Sequence, residues 1–364
     1  MRQDQSSCFD DTSVNEVLDE LDGRTEDQAW ARPMPREGSR VLNAVGAALR
    51  RLLLIREISV LAATILLFVG LSLATPLFPD PENLLLVARQ ISILAIIAIG
   101  MTFLFIAREI DLSVGSTYGF LAVILGFLIA KWEVDPWVAV VTTITLGALI
   151  GLTNGLITTL FGIPSFIVTL GMLSILRGAA LLLSGGWPML IRLPADHSFL
   201  TVTAGRAFGI VPRQVFWMAE LMIIAAFVLA STRFGAHVYA TGGNEEAATL
   251  AGIPTRRIKV ICFVITGALC GIAATLLMGQ VRSGFPTTGT GFELDIIAAV
   301  VIGGTPLFGG AGSILGTLLG AAILGMITNG LVLLGASEHF EPVAKGAIIV
   351  GAIMVDTFIR RRRQ

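Results

Sequence analysis

The stretch GGNEEAATLAGIPTRR occupies residues 242–257, between the apolar runs FWMAELMIIAAFVLAST (216–232) and IKVICFVITGALCGIAATLL (258–277). Each run is close to the ~20 residues that an α-helix needs to cross a ~30 Å hydrocarbon layer. Between two such helices a bare turn would need only a few residues. The island is longer than that, and it carries its own start and stop marks.

Runs of the same kind recur along the chain. They read as ten membrane-crossing segments at 58–75, 84–106, 114–131, 137–159, 164–184, 214–231, 258–279, 294–304, 312–335 and 343–359. The eighth, LDIIAAVVIGG, is too short to cross as a straight helix and is expected to be part of a broken or tilted segment. Of the 364 residues 54% are hydrophobic and only 14% are charged, against about 25% charged in a soluble domain. The expected fold class is therefore all-α: a polytopic transmembrane helical bundle with residues 58–359 as its domain.

The charge lies mostly at the ends. Residues 1–30 carry Asp4, Asp10, Asp11, Glu16, Asp19, Glu20, Asp22, Glu26 and Asp27 against Arg2 and Arg24. That composition predicts a disordered tail, and Met1–Glu57 as a whole reads as an extension. Apolar sequence begins only near residue 58, too far in for a cleaved signal peptide. Arg32, Arg36, Arg40, Arg50, Arg51 and Arg56 follow the acidic part, and the chain closes on the basic residues 360–364. Positive-inside bias puts both termini in the cytoplasm, together with Arg233, Arg256, Arg257 and Lys259. The loop 185–213, with GGWPMLIRLP, then lies outside, where Arg192, Arg206 and Arg213 run mildly against the rule.

Two stretches echo each other: GALIGLTNGLI at 147–157 and GAAILGMITNGLV at 320–332. They fall on segments of opposite direction. An inverted repeat and a coincidence in apolar sequence are both open.

Within the island, Asn244 suits a helix N-cap. Glu245 and Glu246 sit in the first turn, where the helix dipole favours negative charge. Ala247, Ala248, Leu250 and Ala251 give a small, mostly apolar face. Gly252 suits a left-handed C-terminal position, and Pro254 forbids continuation. A helix of about two turns at 244–252 is too short to stand alone in water. It is either a lid on its own protein or a docking helix for a cytoplasmic partner.

EEAATLAG resembles the EAA-type coupling loop of ABC importer permeases. More specifically, the chain resembles the ribose/xylose/galactose-type sugar permeases, through REIDLSVGS (108–116), GIPSFIVTLGMLSILRGAA (162–180), RFGAHVYATGGNEEAATLAGI (233–253), TGTGFELDIIAAVVIGGTPLFGGAGSILGTLLGA (288–321) and NGLVLLGAS (329–337). The resemblance covers roughly 58–359 and leaves out the acidic tail. Arg108-Glu109 stands where Gly-Gly or Ser-Gly is expected in the family.

The resemblance implies a monosaccharide permease of the bacterial inner membrane, working with a second permease copy in a homodimer or heterodimer. It also implies a periplasmic sugar-binding protein and a cytoplasmic ABC ATPase that uses ATP and Mg, with no cofactor on this chain. Asn244, Glu245, Glu246, Ala247, Ala248, Leu250 and Gly252 would form the ATPase-coupling helix. Arg256 and Arg257 either touch the ATPase or only set orientation.

The remaining polar residues have open roles. No Gly-x-x-x-x-Gly-Lys-Ser/Thr loop occurs, and Lys131, Lys259 and Lys345 are the only lysines, so ATP is not cradled by that loop here. His197, His237 and His339 are isolated, and Cys8, Cys262 and Cys270 lack metal or disulfide spacing. Asp111 or Ser113 would cap the third segment as a structured turn, or the stretch is a solvated loop. Asn154, Phe166, Thr169, Glu293, Asp295 and Asn329 are pore or gate candidates. Asn154, Thr169 and Asn329 equally suit helix–helix glue. An ion-coupled secondary transporter is the competing class. It needs a buried mid-membrane charge, for which Glu220 is the main candidate. A membrane enzyme is disfavoured because no catalytic constellation is evident.

Overall fold

The computed structural model describes residues 56–337 and isolated positions at 340, 343, 346, 347 and 351. Almost all of the acidic and basic tail Met1–Glu57 therefore lies outside the described residues. So do Cys8, His339, Lys345, residues 360–364 and, apart from four isolated positions, the tenth segment.

Nine of the expected segments coincide with helices: α1 (Arg56–Ala74), α2 (Pro81–Ile106), α3 (Val114–Ala130), α4 (Pro136–Phe161), α5 (Ser165–Ser184), α7 (Arg213–Ser231), α10 (Thr255–Val281), α11 (Phe292–Ile302) and α12 (Ile314–Leu333). Six of them, α2, α4, α5, α7, α10 and α12, are long and apolar enough to cross a membrane. The protein is an all-helical, multi-pass membrane protein.

Elements that hydropathy does not mark fill the connections. They are α6 (Ser198–Ala204), α8 (Arg233–Gly243), α9 (Glu245–Leu250) and the two-residue strands β1 (Met189–Leu190), β2 (Arg206–Ala207), β3 (Val211–Pro212) and β4 (Ser283–Gly284). β1 pairs with β4 and β2 with β3, both antiparallel.

Helix α2 starts where Asp80 accepts from the Glu82 amide and Pro81 opens the first turn. Every residue from Ile91 to Ala107 is buried. A helix that is apolar all round belongs inside a bundle. α2 accordingly packs on α7, α10, α11 and α12, and a buried Thr102–Thr317 hydroxyl contact of 2.7 Å ties it to α12.

The closest helix pair is α4 with α10. Gly147, Gly151 and Gly155 repeat at a spacing of four and face Gly267, Phe263 and Val260, while Gly271 of α10 faces Ile144, one turn before Gly147 on α4. A Cβ on Gly147 would strike the Gly267 carbonyl, one on Gly267 the Gly147 carbonyl, and one on Gly151 the Phe263 carbonyl. Small residues at this spacing let two backbones touch, which is how helices gain packing energy where lipid offers no hydrophobic drive. The GALIGLTNG stretch, one of the two that echo each other, is thus the packing edge of α4.

Helix α11 has eleven residues, roughly 16 Å at 1.5 Å per residue, as its short apolar run foretold. It forms a hairpin with α12 in which Gly303 meets Gly316 and Gly320 meets Ala299. The irregular 303–313 backbone between them is partly buried, with Gly303, Thr305 and Pro306 inside and Phe308 exposed. The Gly310 amide donates to the Ile106 carbonyl at 2.9 Å, meeting the rule that non-helical backbone at membrane depth must find partners in protein.

Gly151→Leu should abolish the α4–α10 contact, at a cost above the roughly 1–3 kcal/mol of ordinary overpacking. Gly70 on α1 has nothing within 4 Å of a built Cβ, so Gly70→Leu should behave like the parent. Size-exclusion profiles of the two detergent-solubilised variants check this, and equal profiles would remove the seam from the account.

Candidate coupling site

The island's short helix is α9, and a further helix, α8, ends where the island begins. Thr232 caps α8 by accepting from the Gly235 amide. Asn244 caps α9, accepting from the Ala247 amide at 3.0 Å. At the other end the Ile253 amide donates to Ala248 and the Gly252 amide to Thr249, with Gly252 left-handed at φ 82°. Together these make a Schellman-type stop before Pro254. α8 has no apolar signature and so is silent in the sequence. Its Gly242 lies against the Ile106 carbonyl and Gly310.

One part of the expected docking face is corrected. Ala248 is buried against the protein, whereas Glu246, Ala247, Leu250 and Ala251 are exposed, Leu250 to 90%. A helix of six residues can present only one side, and α9 rests on Ala248.

Beneath α9 lies a feature that residue spacing does not reveal. Lys259, one turn into α10, is buried and reaches two carboxylates, Glu109 Oε1 and Glu245 Oε2, each at 2.8 Å. The three charges belong to the α2–α3 corner, to α9 and to α10. Taking away one partner of such a buried pair typically costs about 3–5 kcal/mol, because the other charge is left uncompensated. Lys259 is therefore an anchor and more than a mark of orientation. Arg256 is exposed and lines, with Glu109, Glu245, Lys259 and the end of α4, a cavity of about 330 Å³.

The corner, residues 107–113, is itself pinned from three sides. Ser113 donates to Asp111 Oδ1 through both its amide (2.8 Å) and its hydroxyl (2.6 Å). Asn154 Nδ2 of α4 donates to Ser113 Oγ at 3.0 Å and reaches Asp111 Oδ2 at 3.5 Å. From α5, Ser165 and Thr169 hydroxyls accept from the Ile110 and Leu112 amides. Burial pushes the Asp111 carboxyl up, against the lowering effect of its bonds from Ser113 and Asn154.

Arg108 ends α2 in the left-handed conformation, φ 66°. Its amide bonds Phe105 and the next amide, of Glu109, bonds Leu104. This is the position where glycine is usual; the family resemblance leads one to expect glycine or serine at 108 and glycine at 109.

The other candidates divide between the two faces. Asn329 exchanges amide hydrogen bonds with Asn83 at 2.9 and 3.0 Å, tying α12 to the start of α2. Thr169, Asn329 and the Nδ2 of Asn154 thus bond inside the chain, whereas Asn154 Oδ1 is buried with no partner among the described residues. Glu293 is half-buried beside Gly115 of α3. The nearby loop 285–291 is clamped by Arg177, whose Nη1 donates to the Pro286 and Thr288 carbonyls at 2.8 Å each. Arg177 sits inside the quoted 162–180 stretch but was not singled out. Asp295 is half-buried and lines a separate cavity of about 210 Å³ with Gln90, Phe292 and Thr328. Phe166 is half-exposed on α5. Glu220 is exposed beside Arg213 and Trp217 rather than buried at mid-helix depth in the bundle. His197 caps α6 through Nδ1, and Cys262 and Cys270 are fully buried among apolar neighbours.

Residues 83–355 match a family described as the branched-chain amino acid transport system / permease component. The chain belongs to that permease family. It is 39% identical over 297 residues to the ribose import permease protein of Escherichia coli (strain K12), covering 81% of this chain and 92% of that one. The Bacillus subtilis (strain 168) ribose import permease protein is 37% identical over 291 residues, covering 80% and 89%. The L-arabinose ABC transporter permease protein of Azospirillum brasilense is 33% identical over 312 residues, covering 85% and 90%. No solved structure matches. The permease is thus the membrane-embedded component of an ABC importer.

Arg108→Gly should stabilise the permease by roughly 0.5–1 kcal/mol, because the left-handed conformation costs an L-residue about 1–2 kcal/mol and glycine returns part of that gain as lost chain entropy. A thermal unfolding midpoint in detergent equal to or below that of the parent would count against strain at this corner.

Proposed function

We propose that the permease moves a monosaccharide (a pentose, a hexose or a related polyol) across the bacterial inner membrane, using ATP hydrolysed by a separate cytoplasmic subunit. The observation that carries this reading is α9. It is a short capped helix whose exposed side offers Glu246, Ala247, Leu250 and Ala251, while its buried side is anchored to Lys259. A leucine 90% exposed beside two alanines suits a helix laid into a partner groove. The sugar assignment rests on the named substrates of the relatives.

In this reading the chain crosses ten times, with 343–359 as the last crossing and both termini inside. That places the island face, with Arg256 and Arg257, in the cytoplasm against the ATPase that holds ATP and Mg. The opposite face, with the Arg177-clamped loop, meets a periplasmic sugar-binding protein. A second permease copy, identical in the simplest case, covers α5, on which only Ser165, Thr169, Leu176, Ala180 and Ser184 are buried. The ion-coupled alternative loses its main residue, since Glu220 is exposed.

Leu250→Asp should leave membrane insertion intact and abolish co-purification of the ATPase, because the new carboxylate would be desolvated without a partner. Sugar uptake should fall by at least tenfold. Undiminished ATPase association and uptake would refute α9 as the docking element.

A further inference from the structure

The two carboxylates on Lys259 are not equivalent. Glu109 is 10% exposed at its side chain and sits in the pinned corner, whereas Glu245 is 43% exposed and sits on α9. Charge attraction is strong for the pair shielded from water and weak for the one that water screens. The ammonium has three donors and no acceptor, so both carboxylates draw on one charge.

The supports differ as well. Lys259 stands on α10, which the glycine seam locks to α4. Glu245 stands on α9, of which only Ala248 is buried; α9 joins α10 through the turn at 251–254, whose Gly252 has φ 82°, and follows α8 directly through Asn244. α9 is thus held by far less packing than α10. The cavity of about 330 Å³ beside the three charges leaves room for Glu245 to withdraw.

Resting on the permease reading above, we propose that Lys259 is the positioning residue that carries a displacement of α9 into the α2–α3 corner. With α9 seated, Lys259 is shared between Glu245 and Glu109. When a partner draws α9 away, Glu245 releases and the whole charge of Lys259 falls to Glu109. That pulls on the residues that end α2, the helix around which the bundle is packed. The contact exchanged is electrostatic and no covalent step is involved.

The test uses the complete importer in lipid vesicles, with its ATPase and binding protein. Three quantities are read: ATPase co-purification, ATP hydrolysed, and sugar taken up per ATP. Glu245→Gln keeps size and shape and removes the competing charge. It should retain ATPase co-purification and lower sugar per ATP about tenfold. Lys259→Arg should keep at least half of the parent ratio, and Lys259→Gln should lose it. Adding Glu245→Gln to Lys259→Gln should change nothing further, as coupled sites are non-additive.

A merely structural role would lower the yield of complex but leave sugar per ATP unchanged in the complex that forms. Parent-like sugar per ATP in Glu245→Gln overturns the proposal. So does loss of ATPase co-purification in that variant, because Glu245 would then be a docking contact. Should Lys259→Gln fail to fold, Glu245→Gln still decides, since that side chain is 43% exposed and leaves the buried pair intact. If the parent complex itself shows no sugar-dependent hydrolysis, the permease reading fails and the proposal falls with it.

Discussion

A lysine buried at the start of a membrane-crossing helix constrains everything around it. Lys259 keeps its charge at low cost only while carboxylates surround it. The chain supplies them from two places remote in sequence, Glu109 and Glu245. Satisfying that one ammonium fixes where α9 lies, where α2 ends and how the 107–113 corner turns. The corner then recruits Asn154 from α4 and Ser165 and Thr169 from α5. Five helices are thus referenced to one polar cluster on the island face.

The cluster needs something stationary to pull against, and the α4–α10 seam provides it. Backbones separated only by glycine cannot slide, because any shift drives carbonyl oxygens into the neighbouring chain. The α11–α12 hairpin uses the same device at Gly303, Gly316 and Gly320. α9 is joined to α10 by a turn with one left-handed glycine and to α8 through Asn244, and rests on one buried alanine. Small residues packed in rows make the frame, and α9 is held to that frame by little packing.

The helices were legible because each must carry its own apolar length, a property of contiguous residues. The caps of α9 were legible for the same reason, since Asn244, Gly252 and Pro254 act within one or two turns. Partnerships were not. Nothing local in EEAATLAG shows that Ala248 points inward, because that depends on what lies beneath it. Nothing in IKVICF shows that Lys259 will find Glu109, 150 residues earlier in the sequence. α8 was missed because Gly235, Gly242 and Gly243 look like a loop until Gly242 is seen against the Ile106 carbonyl and Gly310, and Gly235 against the Val228 and Leu229 carbonyls. Asn154, Thr169 and Asn329 could be read as pore or glue, since a polar residue in an apolar run has the same sequence signature in both cases.

How those three residues resolve bears on where a sugar would travel. Their hydrogen bonds go to the corner and to Asn83, and Glu293 lies against α3. The bundle around α2 is solid, with sixteen consecutive buried residues from Ile91 to Ile106. A path through its middle would have to part the α2–α10 or α2–α12 contacts. In the proposed assembly a second copy covers faces that one chain leaves uncovered, and a path between the copies would leave those contacts intact. α5 carries such a face, and its hydroxyls Ser165 and Thr169 also hold the corner. A pull on Glu109 thereby reaches the pathway wall through two hydrogen bonds, without distorting the glycine seam. The division of labour follows from chemistry: contacts between glycines cannot yield without a clash, whereas a hydroxyl bonded to a turn amide can shift by a few tenths of an ångström and re-form.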